Sequence, residues 1–289
     1  MSVRVFAPAK INLTLQIGAP RADGMHPLQS VVMFADIGDV VEAEASSRLS
    51  FAINGDFAEH LEADPENLVL RAVRALAEAV GVPAHAKLTL EKNLPIASGI
   101  GGGSADAAAT LRALNDVWRL EWSNEQLARV GRQLGADVPV FFTGASAAYM
   151  TGVGETCAPI DAPEMPAVLV NPMIPLATPA VYRQFDAMGL GQALEAQGPP
   201  EWEDLDHALD DIAVIGNDLE PAARALVPEI GDVLAVLRGE ESVRYAALSG
   251  SGATCFALLE DWEQAESLAE KLAADWPAWW VCETILGGA

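Results

Sequence analysis

The sequence predicts an α+β protein of two domains, one over residues 1–154 and the other over 155–289. Three observations support this. Short segments with period-two alternation crowd the opening stretch, and helix-period segments then interrupt them. After Gly154 the texture changes to a proline-dense run with Pro159, Pro163, Pro166, Pro172, Pro175 and Pro179. A chain of 289 residues that is 51% apolar has ample material for a buried core.

Residues 3–7 read as a strand. Ile11, Leu13, Leu15 and Ile17 then alternate with Asn12, Thr14 and Gln16, the spacing of a half-buried strand. Further strands are expected at 30–34, 40–45, 49–53 and 87–91, separated by Gly, Asp and Asn turn signals. Asn67 is placed to cap a helix carrying Leu68, Ala72, Leu76 and Val80 on one face. Ser123 and Gln126 form a capping box before Leu127, Val130 and Leu134. The second half reads as a strand at 168–170, helices near 178–188 and 218–238, strands at 245–248 and 254–259, a helix from Asp261 and a last strand at 280–285. The Gly-, Pro-, Glu- and Asp-rich stretch 189–211 reads as irregular.

Seventeen Lys and Arg stand against 41 Asp and Glu, a formal net charge of −24 at pH 7. Such a field repels nucleic acid and anionic membrane surfaces, and a phosphate-rich ligand would need its own local donors. Cys157, Cys255 and Cys282 are odd in number and far apart, without metal-ligand or disulfide spacing, which fits a reducing compartment. No secretory leader or bilayer-length apolar run is visible, so a soluble cytoplasmic protein is expected.

Behind Lys92 runs Pro95-Ile96-Ala97-Ser98-Gly99-Ile100-Gly101-Gly102-Gly103-Ser104-Ala105, leading into an alanine-rich helix. Glycines let the backbone approach a ligand and turn its amides inward, while the first helical turn adds free N–H donors and a positive dipole end. That combination binds phosphate without a cation. A flexible turn or a tight packing crossing would look alike. The loop lacks the Gly-Lys-Ser/Thr of a Walker motif and the spacing of a dinucleotide fold.

Lys10, one of four lysines, heads an apolar strand and shares a face with Asn12 and Thr14, a polar row able to line a cleft or the wet face of an edge strand. Asp137, in Gly135-Ala136-Asp137-Val138-Pro139-Val140-Phe141, lies where burial would disfavour its charge without a nearby cation, unless it merely ends a helix.

Three segments together resemble the galactokinase, homoserine kinase, mevalonate kinase and phosphomevalonate kinase superfamily. They are the glycine loop, the Pro8-Ala9-Lys10-Ile11-Asn12-Leu13 strand with the Asp137 segment, and Leu248-Ser249-Gly250-Ser251-Gly252-Ala253-Thr254, which alone would read as a tight hairpin. The resemblance implies a two-domain α+β fold with the active site in an inter-domain cleft. It assigns Lys92 and Pro95 to Ala105 to ATP, Lys10 and Asp137 to catalysis, and Ser249, Gly250, Ser251 and Gly252 to the neighbourhood of the transferred phosphate. Ser104 would offer its hydroxyl to phosphate or Mg²⁺, and Asp106 is expected to face away from the phosphates.

Arg21-Ala22-Asp23-Gly24-Met25-His26-Pro27-Leu28 is similar to the segment with which kinases of cytidyl diphosphate alcohols hold their substrate. His26 could offer a donor and an acceptor to a pyrimidine edge. Met25 stands where an aromatic residue usually stacks, Tyr182 matches the opposite stacking face, and Thr178 and Asn12 match positions near the substrate. The implied ligands are ATP, Mg²⁺ and a small cytidyl diphosphate. Asn217-Asp218-Leu219-Glu220 matches a further segment without an evident role. Homoserine or mevalonate kinases would share the loop but not the DGxH turn, a non-catalytic paralogue would lose Lys10 or Asp137, and a dehydrogenase would need different glycine spacing.

Overall fold

The computed structural model describes residues 2–61, 64 and 66–288. In chain order the elements are β1 (Ser2–Asn12), β2 (Gln16–Ile17), β3 (Leu28–Glu44), β4 (Ser50–Asn54), α1 (Leu68–Val80), β5 (Lys87–Glu91), α2 (Gly102–Val117), α3 (Asn124–Leu134), β6 (Ala147–Thr151), β7 (Thr156–Pro159) and β8 (Met165–Asn171). There follow α4 (Thr178–Ala187), α5 (Leu205–Ile215), α6 (Glu220–Leu226), α7 (Glu229–Gly239), β9 (Tyr245–Leu248), β10 (Cys255–Leu258), α8 (Trp262–Asp275) and β11 (Trp280–Leu286). This is the expected α+β mixture. Among the described residues no helix is long and apolar enough to cross a membrane.

The segments 30–34 and 40–45 are one long strand, β3, which pairs with β1, β2, β5, β6 and, at Leu286 opposite Ala35, with β11. Gly38 permits this: a Cβ there would sit 2.3 Å from the Ala7 carbonyl, beside the register shift between Pro8 and Lys10 in β1. The alternation expected over 11–17 breaks after Asn12. Leu15 leaves the β3 ladder to exchange backbone hydrogen bonds with Gly216 and Asp218 from the C-terminal half. The hairpin of β6 and β7 spans the Gly154 region, and the sheet runs on through β11, β8, β10 and β9.

Asn67 caps α1 by accepting from Val69 N at 3.0 Å, and Gly81 ends it at φ +71°. The Ser123–Gln126 capping box starts α3. The helix expected over 218–238 is two helices, because Val227-Pro228 interrupts it and proline cannot continue the hydrogen-bond ladder. The stretch 189–211 is not irregular throughout. Asp204 caps α5 through His207 N, and Ala208, Leu209 and Ile212 face the core. The acidic composition masked that short period.

Three apolar clusters hold the chain. One packs α1, α2 and α3 on the β1–β3–β5 sheet, and another packs α4, α6, α7 and α8 on β8, β9 and β10. A third joins the halves, with Ile11, Met33, Leu169, Ile212 and Phe256 all buried in it.

Candidate active site

A cleft of about 1020 Å³ opens where β1, the glycine loop, the residues before the 138–142 turn, α4 and the turn between β9 and β10 converge. That is large enough for two small molecules side by side.

The glycine loop forms one wall. Its side toward the cleft is Pro95 to Gly99 and Gly101 to Ser104, ending in the first turn of α2, which Gly101 opens at φ +69°. Ile100 and Ala105 do not face the ligand as expected. Both are fully buried, Ala105 on the inner face of α2 and Ile100 in the cluster that joins the halves, and Ile100 contributes instead its carbonyl, which accepts Lys10 N at 2.8 Å. The second small-residue turn sits directly behind the loop. A Cβ on Gly99 would meet Gly252 N and the Ser249 carbonyl, each at 2.6 Å, and Thr254 N donates to the Ser98 carbonyl at 3.0 Å. Ser249 Oγ accepts Asn12 N at 3.1 Å and donates to the Gly99 carbonyl at 3.2 Å. Gly250 and Ser251 therefore line the cleft, whereas Ser249 and Gly252 are consumed in joining the two turns.

Lys10 Nζ lies 2.9 Å from Asp137 Oδ2, the lysine buried and the carboxylate 41% exposed toward the cleft. The strand register supplies the lysine, and the turn at 138–142, opened by Pro139, aims Asp137 back at it. A cation in contact with a half-exposed carboxylate gives a proton acceptor and a charge-balancing donor in one place. Nearby, burial and then the Asp137 charge push the Cys157 thiol up to about 12, so it stays neutral.

Lys92 is buried among Asp39 and Asp106, with Nζ 3.0 Å from Asp106 Oδ2 and in closer contact with Asp39 Oδ2. Burial works to lower its pKa, but the two carboxylates overcome this and raise it. Asp106 is pushed up to about 7 by its own burial and by Asp39, against the pull of Lys92, and its Oδ1 has no partner among the described residues. Asp39 also accepts from Asn93 N and Leu94 N, tying β3 to the loop's entry. Lys92 thus underlies the loop, and Asp106 is turned to Lys92.

At the far end Met25 is 47% exposed and His26 is buried. The His26 ring lies 5.1 Å from that of Tyr182. Its Nδ1 is 2.9 Å from the Gly18 carbonyl and its Nε2 3.3 Å from Asp186 Oδ1. Nδ1 faces a carbonyl and is therefore the donor; a neutral imidazole then keeps Nε2 as an acceptor, which a carboxylate oxygen cannot satisfy, so that edge is available to a donor on the ligand. The bond to Gly18 braces the loop, and Met25, His26 and Tyr182 all line the cleft. Thr178 Oγ1 sits 2.8 Å from Ser251 Oγ, linking α4 to the second turn.

Sequence reasoning missed Asp39, whose place beside Lys92 follows from the 53-residue return of the chain, and singled out Asn217 without a role; its side-chain amide donates to the Leu248 and Gly250 carbonyls at 2.7 and 2.8 Å. Among the described residues no group of three or more His, Cys, Asp or Glu converges on a metal position. A magnesium ion carried on phosphates asks for only one or two protein oxygens, and Ser104 and Asp137 offer these in the cleft.

The sequence pattern of the GHMP kinases N terminal domain matches residues 67–145, and that of the GHMP kinases C terminal domain matches 192–278. The chain is similar to the 4-diphosphocytidyl-2-C-methyl-D-erythritol kinase of Parvibaculum lavamentivorans, 46% identical over 98% of this chain and 97% of that protein. It is 44% identical to the kinase of the same name from Cereibacter sphaeroides, over 96% of each. A crystal structure of 4-(cytidine 5'-diphospho)-2C-methyl-D-erythritol kinase superimposes with a TM-score of 0.79 at 32% identity, covering 99% of this chain and 100% of that one. Homoserine kinase from Cytophaga hutchinsonii, at 20% identity and a TM-score of 0.69 over 99% of this chain and 95% of that one, shares the fold.

Proposed function

We infer the reaction of this chain from its membership: it belongs to the GHMP kinases and, within them, to the 4-diphosphocytidyl-2-C-methyl-D-erythritol kinases. It is an ATP-dependent kinase that phosphorylates the 2-hydroxyl of 4-diphosphocytidyl-2-C-methyl-D-erythritol in the non-mevalonate route to isoprenoid precursors. Nearly full-length identity to kinases of that name favours this substrate over homoserine or mevalonate.

The observation that carries the chemistry is the 2.9 Å contact of Lys10 with Asp137 across the cleft from the glycine loop. The substrate oxygen attacks the γ-phosphorus as the bond to the bridging oxygen breaks. ADP leaves with that electron pair, and Asp137 takes the hydroxyl proton. Lys10 holds Asp137 in line and offsets the charge that develops on the phosphoryl oxygens. Backbone amides of residues 98–104 and the α2 N-terminus bind the triphosphate, with Lys92 fixing the loop from beneath. Magnesium, when bound, would be held with Ser104 and Asp137 as protein oxygens and would supply charge neutralisation to the transferring phosphoryl group. Met25, His26 and Tyr182 hold the cytidyl end, and Asn12 and Thr178 line the same cleft.

The test is ADP release with Mg·ATP and a panel of alcohols. Turnover with the cytidyl substrate and none with homoserine or mevalonate is expected. The reverse pattern overturns the assignment.

A further inference from the structure

Asn217 sits just before α6 and outside the cleft lining, yet its side chain reaches the turn that carries Gly250 and Ser251. Its Nδ2 donates to the Leu248 carbonyl at 2.7 Å and the Gly250 carbonyl at 2.8 Å, while its Oδ1 accepts Leu219 N at 2.9 Å. All three polar roles are spent. One end is fixed to the start of a helix, and the other grips the two carbonyls that flank Ser249.

A planar trans peptide points its N–H opposite to its C=O. With the Gly250 carbonyl drawn to Asn217, the Ser251 N–H faces the other way, on the side where Gly250 and Ser251 wall the cleft. That N–H has no partner among the described residues. Gly250 is left-handed at φ +56°, where a glycine peptide can turn over at little steric cost. Without a grip, the turned-over state would present a carbonyl oxygen to the phosphates in place of an amide donor.

We propose that Asn217 is a positioning residue for phosphoryl transfer, holding the Gly250–Ser251 peptide so that the Ser251 amide donates to the transferred phosphoryl group. This rests on the kinase reading above and on the turn's nearness to that phosphate. The effect is on the transition state, where the equatorial oxygens gather charge, more than on ground-state binding.

Asn217→Ser retains a hydroxyl that can accept Leu219 N but is too short to span two carbonyls. Asn217→Ala loses both. Asn115→Ala is the control: Asn115 makes an analogous side-chain latch, to the Trp122 carbonyl at 3.3 Å and from Trp122 N at 3.0 Å, away from the cleft. Steady-state rates are measured with the cytidyl alcohol and Mg·ATP, with thermal midpoints on the same samples. Both Asn217 variants should lose about 100-fold in kcat with KM for the alcohol within about three-fold, while Asn115→Ala loses stability but keeps kcat within about two-fold. If Asn217→Ala does not fold, Asn217→Ser decides. Wild-type kcat in Asn217→Ser, a change in KM alone, or an equal loss in Asn115→Ala overturns the proposal. A wild type that releases no ADP overturns instead the kinase reading on which it rests.

Discussion

Gly99 and Gly252 meet backbone to backbone: a Cβ built on Gly99 would lie 2.6 Å from Gly252 N and 2.7 Å from its carbonyl oxygen. The contact holds the glycine loop of one half against the small-residue turn of the other.

Gly99→Ala should therefore be severe. The residue is at φ +78°, costing an alanine about 1–2 kcal/mol, and the added carbon meets backbone that cannot rotate away, adding about 1–3 kcal/mol. A loss of roughly 2–5 kcal/mol in urea unfolding is expected, together with a large fall in kcat/KM for ATP. Wild-type stability would show that the two turns separate freely.

Asp137→Asn should remain folded and keep its affinity for ATP, because the side chain is 41% exposed and nearly isosteric. Loss of the proton acceptor should lower kcat by about 10²–10⁴-fold. Calorimetric nucleotide binding and coupled ADP release on one preparation separate the two effects, and a near-normal kcat would remove Asp137 from its role.

Asp106 gives a pH signature. Its carboxyl is near 3.8 when unfolded and is pushed up to about 7 in the folded chain, so between these values the folded state binds the extra proton. Its stabilising contribution is complete below about pH 4 and is lost as pH rises through about 7. Lys92, raised from 10.5, titrates outside this window. Asp106→Asn cannot titrate, so the wild type should be the more favoured partner near pH 4 and lose ground to the variant by up to a few kcal/mol at pH 8. A pH-independent difference in urea midpoints between the two proteins would contradict the raised carboxyl.

Met25→Tyr should improve cytidyl binding. Met25 is exposed and lines the cleft together with Tyr182, and an aromatic ring there would add a stacking face worth about 0.5–1.5 kcal/mol. KM for the cytidyl alcohol should fall roughly 2–10-fold with KM for ATP unchanged. Tyr182→Ala should move it the other way. A Met25→Tyr enzyme with unaltered KM would place the base elsewhere.

What could be read in advance was local. The glycine loop before α2 and the helix caps at Asn67 and Ser123 depend on neighbours within a few residues and formed as expected, whereas the strand around Lys10 ends at Asn12 instead of running on to Ile17. Motif resemblance then brought Lys10 and Asp137 into one site across 127 positions, and the structure places them in contact. Composition hid α5, because acidic residues diluted its apolar period, and it hid the break at Val227-Pro228 inside an otherwise continuous helical pattern.

The sequence by itself determined the α+β class and the glycine loop that opens a helix, since each is written in spacing or in a motif, while resemblance alone pairs Lys10 with Asp137. Only the tertiary structure decided that Ile100, Ala105, Ser249 and Gly252 lie behind the cleft rather than lining it, and that the His26 ring is fixed through Nδ1 to the Gly18 carbonyl. It also decided that Asp39 and Asp106 converge on Lys92, and that Asn217 grips a turn more than thirty residues away. The reason is physical. A motif records which atoms are available, whereas burial and hydrogen-bond partners arise from chain segments that meet only on folding.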